Sequence, residues 1–146
     1  MRTLSASDAK TWCQAQGAVF GTDGFPAARR KTKSFRIPDD AGRRVALAAG
    51  HLEGFRGKGH TLIWFDDWGV WPSGQRMHIF ERFLASYGEQ RPLIETPAFL
   101  FSQNEYEDLV SFVTLGVLFL WDVHVVGARA RTLLFYSHDE IGWTEA

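Results

Sequence analysis

Cysteine is almost missing from this chain of 146 residues, which holds only Cys13. A disulfide framework within the chain is thereby excluded, and so is a zinc site built from several thiolates. Neither sign of charge dominates: 16 Lys and Arg stand against 17 Asp and Glu, a net charge of -1. No global attraction to nucleic acid or to an anionic membrane follows from that balance. Long hydrophobic runs are lacking too. The longest spans Leu115 to Trp121 and ends at Asp122, far short of the roughly 20 residues a bilayer span requires. The N-terminus carries no apolar stretch of signal-peptide length. A reduced, cytoplasmic compartment is therefore the expectation, with no membrane partner.

What is plentiful is aromatic. Twelve Phe, three Tyr and six Trp make up 14% of the chain. One use is a bulky core, since large rings dominate burial. The other is display: a surplus of rings beyond what the interior holds would line a surface groove.

Local signals divide the chain into elements. Ser5 with Asp8 three residues on fits a capping box variant. Ala9, Trp12 and Cys13 share a face of the helix it would start, and Gly17 stands where a left-handed stop belongs. Gly21 to Pro26 reads as a loop. Arg29 to Pro38 alternates as a weak, basic edge strand. Asp39 or Asp40 caps a short helix that turns Val45, Ala48, Ala49 and Leu52 inward, before a glycine-rich break from Gly50 to Gly59. His60 to Asp67 is apolar on both faces in its middle, as in a strand covered from both sides.

Pro72 and Ser73, with Ser73 as cap, start a helix with Met77, Phe80, Phe83, Leu84 and Tyr87 as its buried stripe. Ala98 to Phe101 is a short extended piece, and Ser102 with Glu105 is a full capping box for a helix burying Tyr106, Leu109, Val110 and Val113. Gly116 is expected to end that helix, with Val117 to Val126 as a strand and Arg131 to Ser137 as its hairpin partner. A turn on Ala128 and Arg129 sets Asp122 opposite Phe135 and His124 opposite Leu133. Asp122, His124 and Ser137 then share one face, and Trp121, Tyr136 and His138 the other. The whole predicts a single α+β domain over 1–146, with a largely antiparallel sheet of about four strands, a C-terminal hairpin, and three to four helices packed on it.

Chemistry-bearing residues fall into several groups. His138, Asp139 and Glu140 follow a strand and, joined by Asp66 or Asp67, have the donor types of a divalent-cation site. That alternative is a small metal-assisted hydrolase, the metal polarising a water and a carboxylate taking its proton. Yet the three are adjacent in sequence, and His51, His60, His78, His124 and His138 show no metal-ligand spacing. Ser137 with His138 or His124 and Asp122 makes a nucleophile set of little specificity, without a G-x-S-x-G elbow. Cys13, on an apolar helix face, reads as an inert thiol. Gly54 to Gly59 contains a lysine but neither glycine order of a phosphate loop.

The stretch Trp64-Phe65-Asp66-Asp67-Trp68-Gly69-Val70-Trp71-Pro72-Ser73 is the richest. Three indoles and two carboxylates meet where a strand gives way to a helix, a position where sites are commonly built. Aromatic walls with acidic rims suit a cation or a partner's basic side chain. Charge is also uneven along the chain: residues 1–60 hold eleven Lys and Arg against five Asp and Glu, and residues 61–146 hold five against twelve. Such a dipolar chain favours an oppositely charged protein partner through steering. The basic run Arg29 to Arg36 has no accompanying nucleic-acid motif, so no nucleic-acid partner is expected. The reading is a non-enzymatic module that binds a basic protein surface or a small ligand, without a cofactor, through Asp66, Asp67, Trp68 and Trp71, with Trp143 a lesser contributor.

Overall fold

A computed structural model of the chain describes residues 1–29 and 32–145. The Arg30 and Lys31 part of the basic run, and the side chain of Ser73 proposed as a cap, lie outside what is described.

The elements in chain order are β1 (Arg2–Leu4), α1 (Ala6–Ala15), β2 (Val19–Phe20), β3 (Pro26–Ala27), β4 (Lys33–Arg36) and α2 (Ala41–Leu52). They continue with β5 (Thr61–Phe65), α3 (Met77–Ser86), β6 (Ala98–Phe101), α4 (Tyr106–Phe119), β7 (Val123–Gly127), β8 (Leu133–Tyr136) and β9 (Ile141–Glu145). Seven strands form one sheet in the order β1-β6-β5-β7-β8-β9-β4, with each neighbouring pair antiparallel. The sheet is thus nearly twice as wide as the four strands expected from sequence. β1 and β9 supply width that no sequence alternation announced, and β2 pairs with β3 in a separate two-stranded hairpin whose strands flank the expected loop.

Local chemistry explains where the helices start. The Ser5 hydroxyl accepts the Asp8 N–H at 3.1 Å, and the Asp40 carboxylate accepts that of Arg43 at 2.8 Å, each satisfying a donor the first turn leaves free. Ser102 and Glu105 form the capping box ahead of α4, with the Ser102 N–H donating to Glu105 Oε2 at 2.8 Å. Gly17 adopts φ +82 just past α1, the left-handed stop that costs glycine least.

Two expectations about α2 and α4 need correction. Val45 is 41% exposed rather than inward; Ala48 and Leu52 carry the buried face of α2. Gly116 does not end α4, which runs on to Phe119 and stops at a left-handed Leu120. The glycine serves close packing: a Cβ there would meet Val123 Cγ2 at 2.6 Å and Phe65 Cε1 at 2.8 Å. The expected long strand from Val117 accordingly begins only at Val123.

β5 lies centrally and all five of its residues are buried. Alternation sends Ile63 and Phe65 to a core under α2, α3 and α4, and Leu62 and Trp64 to a second core under α1 and the β2–β3 hairpin. The helix-covered face is densely aromatic. Phe112 of α4 meets Phe83 at 4.7 Å, Phe99 at 4.9 Å and Phe101 at 5.1 Å between ring centres, and such pairs add about 0.5–1.5 kcal/mol each beyond burial. The other face has a thinner cover: one ten-residue helix and a hairpin of two-residue strands.

Among the described residues no helix is long and apolar enough to cross a membrane.

Candidate functional site on the thin face of the sheet

The site follows from strand register. Trp64 of β5 pairs with His124 of β7, His124 with Phe135 of β8, and Phe135 with Trp143 of β9. Partners across a sheet point to the same side, so these four rings form a row on the thin face. The hairpin expected to set His124 against Leu133 is shifted by two residues, since its turn is centred one residue later. A shift of two keeps the parity, so Asp122, His124 and Ser137 still share a face, and Trp121 and Tyr136 the opposite one; His138, expected beside Trp121 and Tyr136, instead turns to Asp122 because the chain has left the strand. One step beyond the ring row, the Asp66 N–H donates to the Asp122 carbonyl at 3.0 Å, and the Asp122 N–H to the Asp67 carbonyl at 2.8 Å. This continues the β5–β7 pairing and brings Asp66 and Asp122 side by side past Trp64 and His124.

The β2–β3 hairpin roofs part of this row. Phe25 stacks on His124 with ring centres 5.0 Å apart and planes 10° from parallel, and tilts against Trp64 at 5.0 Å. Beside it opens a hollow of about 400 Å³, lined by Asp23, Thr32, Asp66, Asp122, His124, Phe135 and Trp143 together with Pro26, Ala27 and Ala28. Three carboxylates and no lysine or arginine are among the described residues that line it.

His124 is 6% exposed, and its Nε2 has no hydrogen-bond partner. The nearest carboxylate oxygen, Asp66 Oδ2, lies 3.8 Å away, beyond hydrogen-bond reach. A buried polar atom left in this way costs about 1–3 kcal/mol, so such atoms call for a reason.

Asp122 is otherwise occupied. Its Oδ1 accepts the backbone N–H of His138 at 2.6 Å and the ring Nδ1–H at 2.9 Å. Burial alone would lower the pKa of His138. The Asp122 hydrogen bond and the charges of Asp122, Asp139 and Asp67 outweigh it, and the pKa is raised above the usual 6.5.

Of the residues singled out from sequence, Asp66 and Trp143 line the hollow. Asp67 turns back to accept the Gly69 N–H at 3.0 Å, fixing the exit loop. Trp71 is 43% exposed and donates its indole N–H to the carbonyl of His138, the residue that holds Asp122, at 2.8 Å. Trp68 is half-buried and packs on the helix-side core, away from the hollow. His138, Asp139 and Glu140 do not converge as a set of three: His138 holds Asp122, the largely exposed Asp139 comes within 3.6 Å of the His138 ring, and Glu140 turns away to face Arg36 at 3.8 Å and Arg44 at 3.9 Å. Among the described residues no three His, Cys, Asp or Glu are grouped to hold a metal. The Ser137 hydroxyl accepts the Asp139 N–H at 3.2 Å, which makes it a turn residue of that loop. Cys13 is fully buried, and burial pushes its thiol up to about 12.

His124 and Phe135, which line the hollow, and Phe25, which stacks on His124, were not singled out from sequence as binding residues. The face-sharing of Asp122 and His124 in the hairpin was the available signal. No family model matches the chain, and comparison with curated proteins and with solved structures returns no similar protein.

Proposed function

We propose that this chain is a binding domain whose hollow on the thin face receives the positively charged side chain, arginine or lysine, of a protein partner. The observation that carries this reading is the pairing of Asp66 with Asp122 at a ring-lined hollow that His124, Phe135 and Trp143 also line. Carboxylates select positive charge, and the Phe135 and Trp143 rings offer faces on which a guanidinium or ammonium is attracted. The size is in keeping: about 400 Å³ lies toward the small end of ligand pockets and suits one side chain.

A protein rather than a free amine is favoured by the rim. Trp71 at 43% and Ile141 at 57% are exposed. Both border the same loop, Trp71 through the His138 carbonyl and Ile141 through its own carbonyl, which accepts the Ser137 N–H. Aromatic and aliphatic anchors beside a charge-selective pocket are how protein interfaces concentrate affinity. The oppositely charged partner would be steered in, and mutation of a charge would show in salt dependence.

The test is a titration of the full chain with a short arginine-containing peptide and its citrulline counterpart, followed by tryptophan fluorescence. The arginine peptide is expected to bind and the citrulline peptide to bind at least tenfold more weakly, about 1.4 kcal/mol. Asp66→Asn should cost the arginine peptide a similar factor. Equal behaviour of the two peptides, or full affinity in Asp66→Asn, would overturn the reading.

A further inference from the structure

We propose a second, separate site: a cleft at the opposite end of the central strand that binds a small anion carrying two or more linked phosphoryl groups. Two adjoining cavities, of about 420 and about 700 Å³, share Lys58, Arg129, Arg131 and Thr132. The first reaches inward to Phe55, and the second outward to Arg29 and Glu145.

Three separate chain segments bring cations here. Arg29 precedes β4, Lys58 precedes β5, and Arg129 and Arg131 belong to the β7–β8 turn. Among the described residues none of these four side chains makes an ion pair or hydrogen bond. Arg36 and Arg44, at the far end of the sheet, both face Glu140. Among the described residues that line the cleft the single carboxylate is Glu145, which is 7% exposed and accepts the Arg29 backbone N–H at 2.8 Å. It thereby anchors the segment that carries Arg29.

The cleft is held in shape by backbone features rather than by its charges. Arg129 and Ala130 take consecutive left-handed conformations, φ 59 and 44, which residues with a side chain adopt seldom. The Gln16 side chain, just past α1, fixes this turn by accepting the Arg129 N–H at 2.8 Å. Opposite, Gly59 at φ +94 lies so close that a Cβ would stand 3.4 Å from that of Ala128. Four like charges gathered around a concavity focus a positive potential that an anion relieves. Linked phosphoryl groups present several charges over a span matching cations contributed from different segments, and arginine forks fit their oxygens. An extended nucleic-acid backbone would instead track a stripe of cations across the surface.

The experiment is calorimetric titration of the full chain with inorganic tripolyphosphate and, separately, with a single-stranded oligonucleotide, at low and at physiological salt. Tripolyphosphate is expected to bind at one site per chain. The Arg129→Gln/Arg131→Gln double variant should weaken it tenfold or more with no change in Tm. Arg82→Gln, an exposed cation on α3, should leave affinity unchanged. Absence of tripolyphosphate binding at millimolar concentration would overturn the proposal. So would an equal loss in Arg82→Gln, or binding of the oligonucleotide where tripolyphosphate does not bind.

Discussion

The two faces of the sheet are made by the same strands, yet they carry different chemistry. Under α2, α3 and α4 the inward positions of β5, β6 and β7 are apolar apart from Thr61 at the start of β5, and rings from Phe80, Phe99, Phe112 and Trp121 interlock there. On the opposite face the same β7 turns His124 into the interior and continues from Asp122. The cover there is one helix and a two-residue-strand hairpin. The first face pairs wide helical cover with a largely apolar, ring-filled interior, the arrangement that stabilises a sheet. The second gives up some of that burial and keeps polar atoms beside a hollow, as binding sites on stable scaffolds do.

The sharpest way to break this comparison is to truncate one ring on each face. Phe112→Ala removes a fully buried ring, and a loss of about 3–5 kcal/mol is expected from the lost burial and the cavity left behind. Phe25 is only half-buried on the thin face, so Phe25→Ala should cost roughly 1–2 kcal/mol, since less apolar area leaves water-free contact. Chemical denaturation measures both. Equal losses would erase the distinction between a thickly covered face and a thinly covered one.

A smaller difference should appear in local opening. Cys13 is buried on α1, and its thiol, pushed up to about 12, is unreactive while α1 stays docked. If the thin face opens before the whole fold, iodoacetamide should label Cys13 at denaturant concentrations below the global midpoint. Labelling only in step with global unfolding would show the two faces to be equally secure.

The smallest effect concerns pH. His138 has a folded pKa raised above 6.5, so its bond to Asp122 contributes stability that is fully present below the unfolded pKa. That contribution is lost as pH rises through the higher folded value. His138→Gln should therefore flatten the decline in stability over that window, measured as the midpoint of denaturation against pH. An unchanged slope would remove His138 as the support that orients Asp122 at the hollow.

Much of the helix-covered face was legible in the residues. The stripe of Met77, Phe80, Phe83, Leu84 and Tyr87 repeats at helical spacing, and Phe80 and Leu84 are its buried centre. The doubly apolar run around Leu62 to Phe65 marked a strand covered on both sides. The thin face was harder because its pieces are short. Val19–Phe20 and Pro26–Ala27 have two residues each, too few for alternation to register. β9 follows a left-handed Glu140 and pairs on both edges, with β8 and β4, through long-range contacts that its own sequence does not encode. Gly116 misled because a glycine inside a helix signals either a stop or a close approach, and only Phe65 and Val123 against it decide which. At the site, Asp66 and Trp143 were readable as binding types, but Phe25 and Phe135 join them only through the fold.

The central claim, that the hollow beside Asp66 and Asp122 takes a cationic side chain, is tested most directly by chemical-shift mapping. The isotope-labelled chain would be titrated with the arginine-containing peptide while backbone amide, imidazole and indole resonances are followed. The largest changes are predicted at Asp66, Asp122, the His124 ring and the Trp143 indole, with little movement at Phe112 across the sheet. Shifts confined to other surfaces, or a silent His124 ring under saturating peptide, would contradict the account.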